Sequence, residues 1–144
     1  MVKLSKKQRW IIVGSKLLKK SVDNAEVAKH AEEKEKYDVA ISRFYYSGFQ
    51  KMLHLLKTKY TYDSSKININ SKGSHVKTYQ YFIKQVSNDL EDEEITKINF
   101  FNYLKKQRRV ADYEDNTYDN TEYNLKFKMF FEQFDEVLNK LNDN

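Results

Sequence analysis

Hydrophobic side chains recur every three or four residues along most of this chain, a spacing that predicts amphipathic helices. We expect five helices, from about Ser5 toward His30, Glu32 to Lys57, Ser74 to Ser87, Asp92 to Arg109, and Thr121 to Leu141. The stretch from Tyr60 to Gly73 is rich in Ser, Asn and Lys and predicts a loop, and Val110 to Asn120 predicts a polar turn. The pattern therefore predicts an all-α protein, built as a bundle of four to five helices.

Polar residues at several predicted helix starts support these boundaries. Ser5 with Gln8, and Asp119 with Glu122, have the spacing of a capping box, in which two side chains bond the free N–H groups of a first turn. Ser74 is the predicted N-cap of the third helix. Local sequence and hydrophobic spacing thus agree at three of the five helix starts.

The apolar positions also predict which side chains form the core. The first helix is expected to bury Trp10, Ile11, Leu17, Leu18, Val22 and Val27. The last helix is expected to bury Phe127, Phe130, Phe131, Phe134, Val137, Leu138 and Leu141. Gly48 lies inside the pattern of the second helix, where a glycine often allows another helix to approach closely.

Length and composition narrow the class of protein. The 144 residues fit one domain, residues 1–144, and the chain has no cysteine, so disulfides and thiolate metal sites are excluded. No stretch approaches the roughly 20 apolar residues that a membrane-spanning helix needs, and no signal peptide is visible. We therefore expect a cytoplasmic protein with no membrane partner.

Positive charge is concentrated in two segments. The formal net charge is +5, residues 1–20 contain Lys and Arg but no acid, and Lys105 to Arg109 form a second basic cluster. Such clusters permit a polyanion partner, although a solvated helix face has the same composition. The three histidines are far apart in sequence, and there is no Gly-rich phosphate loop, so the sequence predicts no metal and no cofactor.

Three ordered motifs resemble the HEPN superfamily, and within it the small stand-alone bacterial proteins. Residues 42–47 read Ser-Arg-Phe-Tyr-Tyr-Ser in the second helix, like the family's Ser-Arg-x-Tyr-Tyr-small motif. His75 starts a helix ahead of Phe82, and residues 108–113 read Arg-Arg-Val-Ala-Asp-Tyr, like the family's Arg-x-x-Ala-Asp-Tyr. The segment from Thr121 to Leu141 would be the final helix. The likeness spans nearly the whole chain.

The resemblance implies a helical bundle that forms a homodimer with a cleft between the subunits. Many members are metal-independent ribonucleases of toxin–antitoxin, abortive-infection or CRISPR-associated defence, and others work with a nucleotidyltransferase partner. Their catalytic signature is an Arg followed after four to six residues by a His. Here Tyr113 stands where that His would be, with four residues between it and Arg108.

This substitution changes the chemistry that the motif can perform. Cleavage of RNA through its 2′-hydroxyl needs a group that exchanges a proton near pH 7, and a Tyr with a pKa of ~10 is only about 0.1% ionised there. Tyr113 would act as a base only if arginines lowered its pKa, which Asp112 opposes. His75 would supply proton transfer if the third helix opens onto the same cleft.

The predicted site follows from these arguments. The expected catalytic residues are Arg108, Tyr113 and His75, and the expected binding residues are Arg109, Lys105, Lys106, Arg43, Tyr46 and Asp112. One hypothesis is an RNA-directed ribonuclease of a defence or toxin–antitoxin system, controlled by an antitoxin. A second is a non-catalytic module that binds a nucleotide or a partner such as a nucleotidyltransferase.

Two structural interpretations remain open at the sequence level. The arginines at the end of the fourth helix would cap its last carbonyls while Tyr113 packs back on the core. Alternatively, the whole chain is a helical dimerisation domain without a ligand. Both require only ordinary packing of the same residues.

Overall fold

The computed structural model describes residues 3, 5–60, 72–114 and 117–143, without the side chains of residues 6–15. Every regular element in these ranges is helical. The elements are α1 (Lys6–Glu33), α2 (Tyr37–Thr58), α3 (Ser74–Val86), a 3₁₀ turn (Ser87–Asp89), α4 (Asp92–Ile98), α5 (Phe100–Tyr113), α6 (Asn120–Tyr123), a π-helical turn (Asn124–Lys128) and α7 (Met129–Asp143). The predicted all-α class is confirmed. Most of the predicted loop from Tyr60 to Gly73 lies outside the described residues.

Helix α2 is the centre of the bundle, and α1, α3, α5 and α7 pack against it. Its Gly48 allows a close approach by another helix, as the sequence predicted, and that helix is α7. A Cβ atom at this position would lie 3.0 Å from Phe134 Cε1 and 3.3 Å from Phe131 Cε2. Buried aromatic residues of α2, α3, α5 and α7 form one continuous hydrophobic cluster. The predicted apolar face of the last helix is buried, with Phe130 half-buried at its edge.

Helices α1 and α2 form an antiparallel pair joined by a tight turn. Glu35 adopts a left-handed backbone with φ of 59°, and the Lys36 N–H donates to the Ala31 carbonyl at 2.8 Å, so α1 ends later and α2 begins later than predicted. The seam between them uses small residues, and the Ser21 hydroxyl donates to the Ser47 carbonyl oxygen at 2.7 Å.

The predicted core face of α1 was partly wrong. Val22 and Val27 are 49% and 50% exposed, and the buried positions are instead Ser21, Ala28 and Ala31. Small side chains let two long helices approach closely, so a hydrophobicity pattern that favours large residues misses this face. The side chains of residues 6–15 lie outside the described structure. The predictions for Trp10, Ile11 and the Ser5–Gln8 capping box depend on this segment and stay predictions.

Two further boundaries differ from the prediction. The predicted fourth helix is divided into α4 and α5 at Asn99, which lies between them. The Asn99 side chain accepts a hydrogen bond from the Tyr79 hydroxyl. Helix α5 then continues to Tyr113, so the start of the predicted turn after Arg109 is helical. At α3 the predicted N-cap was wrong, because Gly73 occupies that position without a side-chain cap and Ser74 is the first helical residue. The Asp119 side chain accepts from the Glu122 N–H at 2.8 Å as predicted, and Glu91 and Glu94 form a capping box at α4 that was not predicted.

A candidate anion-binding pocket between α2, α3 and α5

Arg108 lies on the inner face of α5, with only 8% of its surface exposed. Its guanidinium carbon lies 5.1 Å from the centroid of the Tyr45 ring and 5.6 Å from that of Tyr46, both on α2. The negative face of an aromatic ring attracts a cation at these distances. The adjacent tyrosines of the α2 motif therefore hold the charge of Arg108 beneath the surface of the bundle.

The charge of Arg108 is only partly neutralised within the described chain. Its nearest carboxylate is Asp112, one turn further along α5, with 3.6 Å between Nη1 and Oδ2. Its Nε atom is buried and has no hydrogen-bond partner among the described residues. A guanidinium carries five N–H donors, so this side chain keeps the capacity to bind an anion.

His75, the second residue of α3, lies beside this cation. Its ring stacks on Phe49 with 4.0 Å between centroids, and its Nδ1 atom is 2.7 Å from the Tyr45 hydroxyl oxygen. Burial, followed by the positive charges of Arg108 and Lys105, lowers the pKa of His75 to about 4. His75 is therefore neutral at pH 7, and the bond to Tyr45 fits a proton on either ring nitrogen.

A pocket of about 290 Å³ opens at this point. Its lining residues are Tyr46, Gly73, Ser74, His75, Lys105 and Arg108. Burial, and then repulsion by Arg109 and Arg108, lowers the pKa of Lys105. The first turn of α3, preceded by Gly73 with φ of 77°, brings the positive end of a helix dipole to the same wall. Two cationic side chains and a helix N-terminus make the pocket electropositive.

The structure does not bring Tyr113 to this pocket. Because α5 is helical through Tyr113, five residues rotate the side chain by roughly 140° relative to Arg108. The Tyr113 side chain is 79% exposed on the outside of the bundle. Tyr113 therefore does not pack back on the core, and it is not among the residues that line the pocket with Arg108.

The other predicted binding residues are divided between the pocket and the surface. Tyr46 and Lys105 line the pocket, and Asp112 lies at its edge as the ion partner of Arg108. Arg109 and Lys106 are exposed on the outer side of α5. Arg43 is exposed as well, and it donates to Asn24 Oδ1 of α1 at 3.3 Å. Arg43 therefore joins two helices and is not among the residues that line the pocket.

Sequence reasoning missed three residues of this region as site residues. Tyr45 contacts both Arg108 and His75, Phe49 stacks on the His75 ring, and Ser74 is buried in the pocket wall. The spacing of Tyr45 and Phe49 places them on one face of α2, and that periodicity was available in the sequence. What the sequence lacked was the packing of α3 and α5 against that face.

A second pocket lies on the opposite flank of α5 and has a different character. It measures about 550 Å³ and is lined by Tyr103, Gln107, Val110, Glu114, Thr117, Tyr118, Glu122 and Lys126. The Tyr118 hydroxyl donates to Gln107 at 2.9 Å, and Lys126 pairs with Glu122 at 3.2 Å. Polar groups of this pocket already bond one another, whereas the Arg108 pocket retains an unpartnered buried donor.

Comparisons of the chain with protein-family models, with curated proteins and with solved structures find no match. The resemblance to the HEPN superfamily therefore rests on the sequence motifs. Among the described residues, no group of three or more His, Cys, Asp or Glu side chains has the arrangement of a metal site. No helix in the same ranges combines the length and apolar character that crossing a membrane requires.

Proposed function

We propose that this chain is an RNA-directed, HEPN-like protein that holds a phosphate of RNA in the pocket between α2, α3 and α5. The observation that carries the proposal is that Arg108 and His75, distant in sequence, line one electropositive pocket. A buried guanidinium with free donors binds a phosphate through two parallel hydrogen bonds. Exposed Lys106 and Arg109 would attract the polyanion toward it.

The same pair supports a metal-independent cleavage reaction. The RNA 2′-oxygen would attack the adjacent phosphorus while its proton passes to Nε2 of His75, and the bond to the 5′-oxygen would break. Water would protonate the leaving oxygen, giving a 2′,3′-cyclic phosphate and a 5′-hydroxyl. Arg108 would stabilise the charge that develops on the phosphoryl oxygens. This role requires the neutral tautomer in which Nδ1–H donates to the Tyr45 oxygen, 2.7 Å away.

Electrostatics favour this proton transfer only when the anion is bound. Arg108 and Lys105 contribute to the low pKa of His75. A phosphate between these cations would cancel part of their field, so the pKa of His75 would rise toward the range that suits a general base.

The test is incubation of labelled single-stranded RNA with the purified chain in the presence of EDTA. We expect cleavage products ending in a cyclic phosphate, abolished in Arg108→Gln and reduced at least about 100-fold in His75→Gln, the usual scale of general base catalysis. Tyr113→Phe, outside the pocket, is the control and should cleave normally. Cleavage that persists in His75→Gln would contradict the proposed role of His75.

A specific observation favours a second candidate, a non-catalytic module that binds a nucleotide, an RNA or a partner protein. The Arg108 cation lies beside Tyr45 and interacts with its hydroxyl. This arrangement favours a hydroxyl whose oxygen accepts a hydrogen bond from Arg108 and whose O–H donates to His75 Nδ1. His75 would then carry its proton on Nε2 and act as a donor to phosphate. RNA binding that depends on Arg108, without cleavage, would favour this candidate.

A further inference from the structure

The outer side of α5 carries a row of cations that ends in an exposed aromatic ring. Lys105, Arg109 and Tyr113 are spaced by four residues, so successive side chains are rotated by only about 40° and the row spans roughly 12 Å. The first of these side chains lines the pocket, and the last occupies the final turn of the helix. The row therefore leads from the Arg108 pocket along the surface of the bundle.

The exposure of Tyr113 is exceptional in this protein. It is 79% exposed, and every other aromatic side chain whose burial the structure describes is buried or half-buried. Exposing an apolar ring to water is unfavourable, and the core buries aromatic residues from α3, α5 and α7 as well as from α2. A ring left in solvent beside cations has the composition of a surface that stacks unpaired bases.

The cations of this row repel one another. The charges of Arg109 and Arg108 both contribute to the lowered pKa of Lys105. Within the described residues, no carboxylate lies within 4.0 Å of Lys105, Lys106 or Arg109. Like charges held close together are destabilising unless an anion lies between them, so a phosphate backbone would relieve this repulsion.

We propose that Tyr113 is a base-stacking residue that selects single-stranded RNA, with the backbone following Lys105 and Arg109 and an unpaired base lying on the Tyr113 ring. The inference rests on the proposed function, because it takes the phosphate in the Arg108 pocket as its starting point. It assigns Tyr113 a role in recognition and none in proton transfer. Bases in a duplex are already stacked and paired, so a ring on a convex helix end cannot reach their faces.

The experiment measures fluorescence anisotropy at one fixed salt concentration with three probes: a labelled single-stranded RNA of ten nucleotides, a duplex of the same sequence, and inorganic polyphosphate as a competitor without bases. Tyr113→Ala should weaken binding of the single strand by about 5-fold to 100-fold, the range for loss of one stacked base. Tyr113→Phe keeps the ring and should bind within about 2-fold of the parent chain. Leu125→Ala removes another exposed apolar side chain, 58% exposed on the π-helical turn, and should have no effect.

Other results would overturn the inference in distinguishable ways. Equal losses for single strand, duplex and polyphosphate would mean that Tyr113→Ala disturbs the helix. An altered oligomeric state with unchanged RNA affinity would mean that the ring contacts a second protein. If Arg108→Gln binds all three probes like the parent chain, the proposed function itself fails. If Arg108→Gln loses binding while Tyr113→Ala does not, only the stacking role fails.

Discussion

Two cations, Lys128 and Arg108, lie over aromatic rings of α2, and they differ in how completely carboxylates neutralise them. The Nζ atom of Lys128 is 4.2 Å from the centroid of the Phe44 ring and 2.6 Å from Glu32 Oε2. Arg108 lies over Tyr45 and Tyr46, but its nearest carboxylate is 3.6 Å away and its buried Nε has no partner in the described chain. The charge of Lys128 is neutralised within the fold, while Arg108, which lines a pocket, keeps one buried donor without a partner in the described chain.

The difference separates a structural cation from a candidate binding cation. Burial raises the pKa of Glu32, but hydrogen bonds from Lys128 and from the Tyr123 hydroxyl outweigh it and leave that pKa below its ordinary value. The Lys128 cluster is therefore complete without a ligand. The Arg108 cluster leaves one buried N–H donor without a partner in the described chain, which is costly, and an added anion would satisfy it.

The largest expected effect is on RNA binding. Arg108→Gln removes the charge and the paired donors, and we expect the dissociation constant for single-stranded RNA to rise about 10-fold to 100-fold, the range for a charge-assisted bond to phosphate. Lys128→Met removes an equal charge from the other cluster, and it should change this constant by less than about 2-fold. Anisotropy titrations of the two variants check the comparison. Equal losses would show that net charge alone determines RNA affinity.

The second effect is on the free energy of unfolding, and here we expect the larger change at Lys128 and the smaller one at Arg108. Lys128→Met should lower the free energy of unfolding by about 1–2 kcal/mol, because Glu32 loses its closest cation in a partly buried setting. Arg108→Met should change it by less than about 1 kcal/mol, since the lost ring contacts are offset by removal of an incompletely paired buried charge. Urea unfolding of both variants measures the difference. A larger cost for Arg108→Met would identify Arg108 as a structural residue.

The sequence specified the helices better than the site, for a physical reason. Periodicity and capping are local, so the Asp119 cap before α6 and the apolar face of α7 could be predicted from nearby residues. The break at Asn99 depends on α3, whose Tyr79 hydroxyl bonds the Asn99 side chain, and a single helix could not reveal that contact. Small residues in the α1 seam were missed because they carry little hydrophobic signal.

The candidate pocket contains some of the predicted site residues. The motifs identified Arg108, His75 and Tyr46 as candidates, and the structure brings these three to one pocket. Tyr113 lies outside that pocket because α5 continues past Arg109, where the sequence predicted the helix to end. A helix that ended at Arg109 would have allowed the chain to fold Tyr113 back, whereas a helix through Tyr113 turns the ring into solvent. One extra turn of helix changes the chemistry available to that residue.

A third prediction uses the pKa of His75 to report on the positive charge of Arg108. Arg108→Gln should raise the pKa of His75, because Arg108 contributes to its depression, whereas Lys128→Met should leave it unchanged. Saturating inorganic phosphate should also raise it in the parent chain. The measurement is the pH titration of the His75 ring signals by NMR. A pKa that does not respond to Arg108→Gln would assign the depression to burial and Lys105, without a contribution from Arg108.

The same histidine predicts a pH dependence of stability. The pKa of His75 is about 4 in the folded chain against 6.5 as its ordinary value. Between these values the unfolded chain binds more protons, so folding stability falls as the pH drops through this window. His75→Gln should remove about 1 kcal/mol of the loss between pH 7 and pH 5, after allowance for solvent screening. Parallel slopes for the parent chain and His75→Gln over this window would contradict the assignment.

The smallest expected effect concerns the Tyr45 hydroxyl, which bonds His75 while the Tyr45 ring lies beneath Arg108. Tyr45→Phe keeps the ring beneath Arg108 and removes only the oxygen that lies 2.7 Å from His75 Nδ1. We expect a loss of stability of about 1 kcal/mol and RNA affinity within about 2-fold of the parent chain, since the cation remains on its ring. Tyr79→Phe, which removes the hydroxyl bonded to Asn99, is the matched control. If Tyr45→Phe binds RNA as poorly as Arg108→Gln, the Tyr45 hydroxyl determines RNA binding and the incompletely paired charge of Arg108 does not. The difference proposed between Arg108 and Lys128 would then be contradicted.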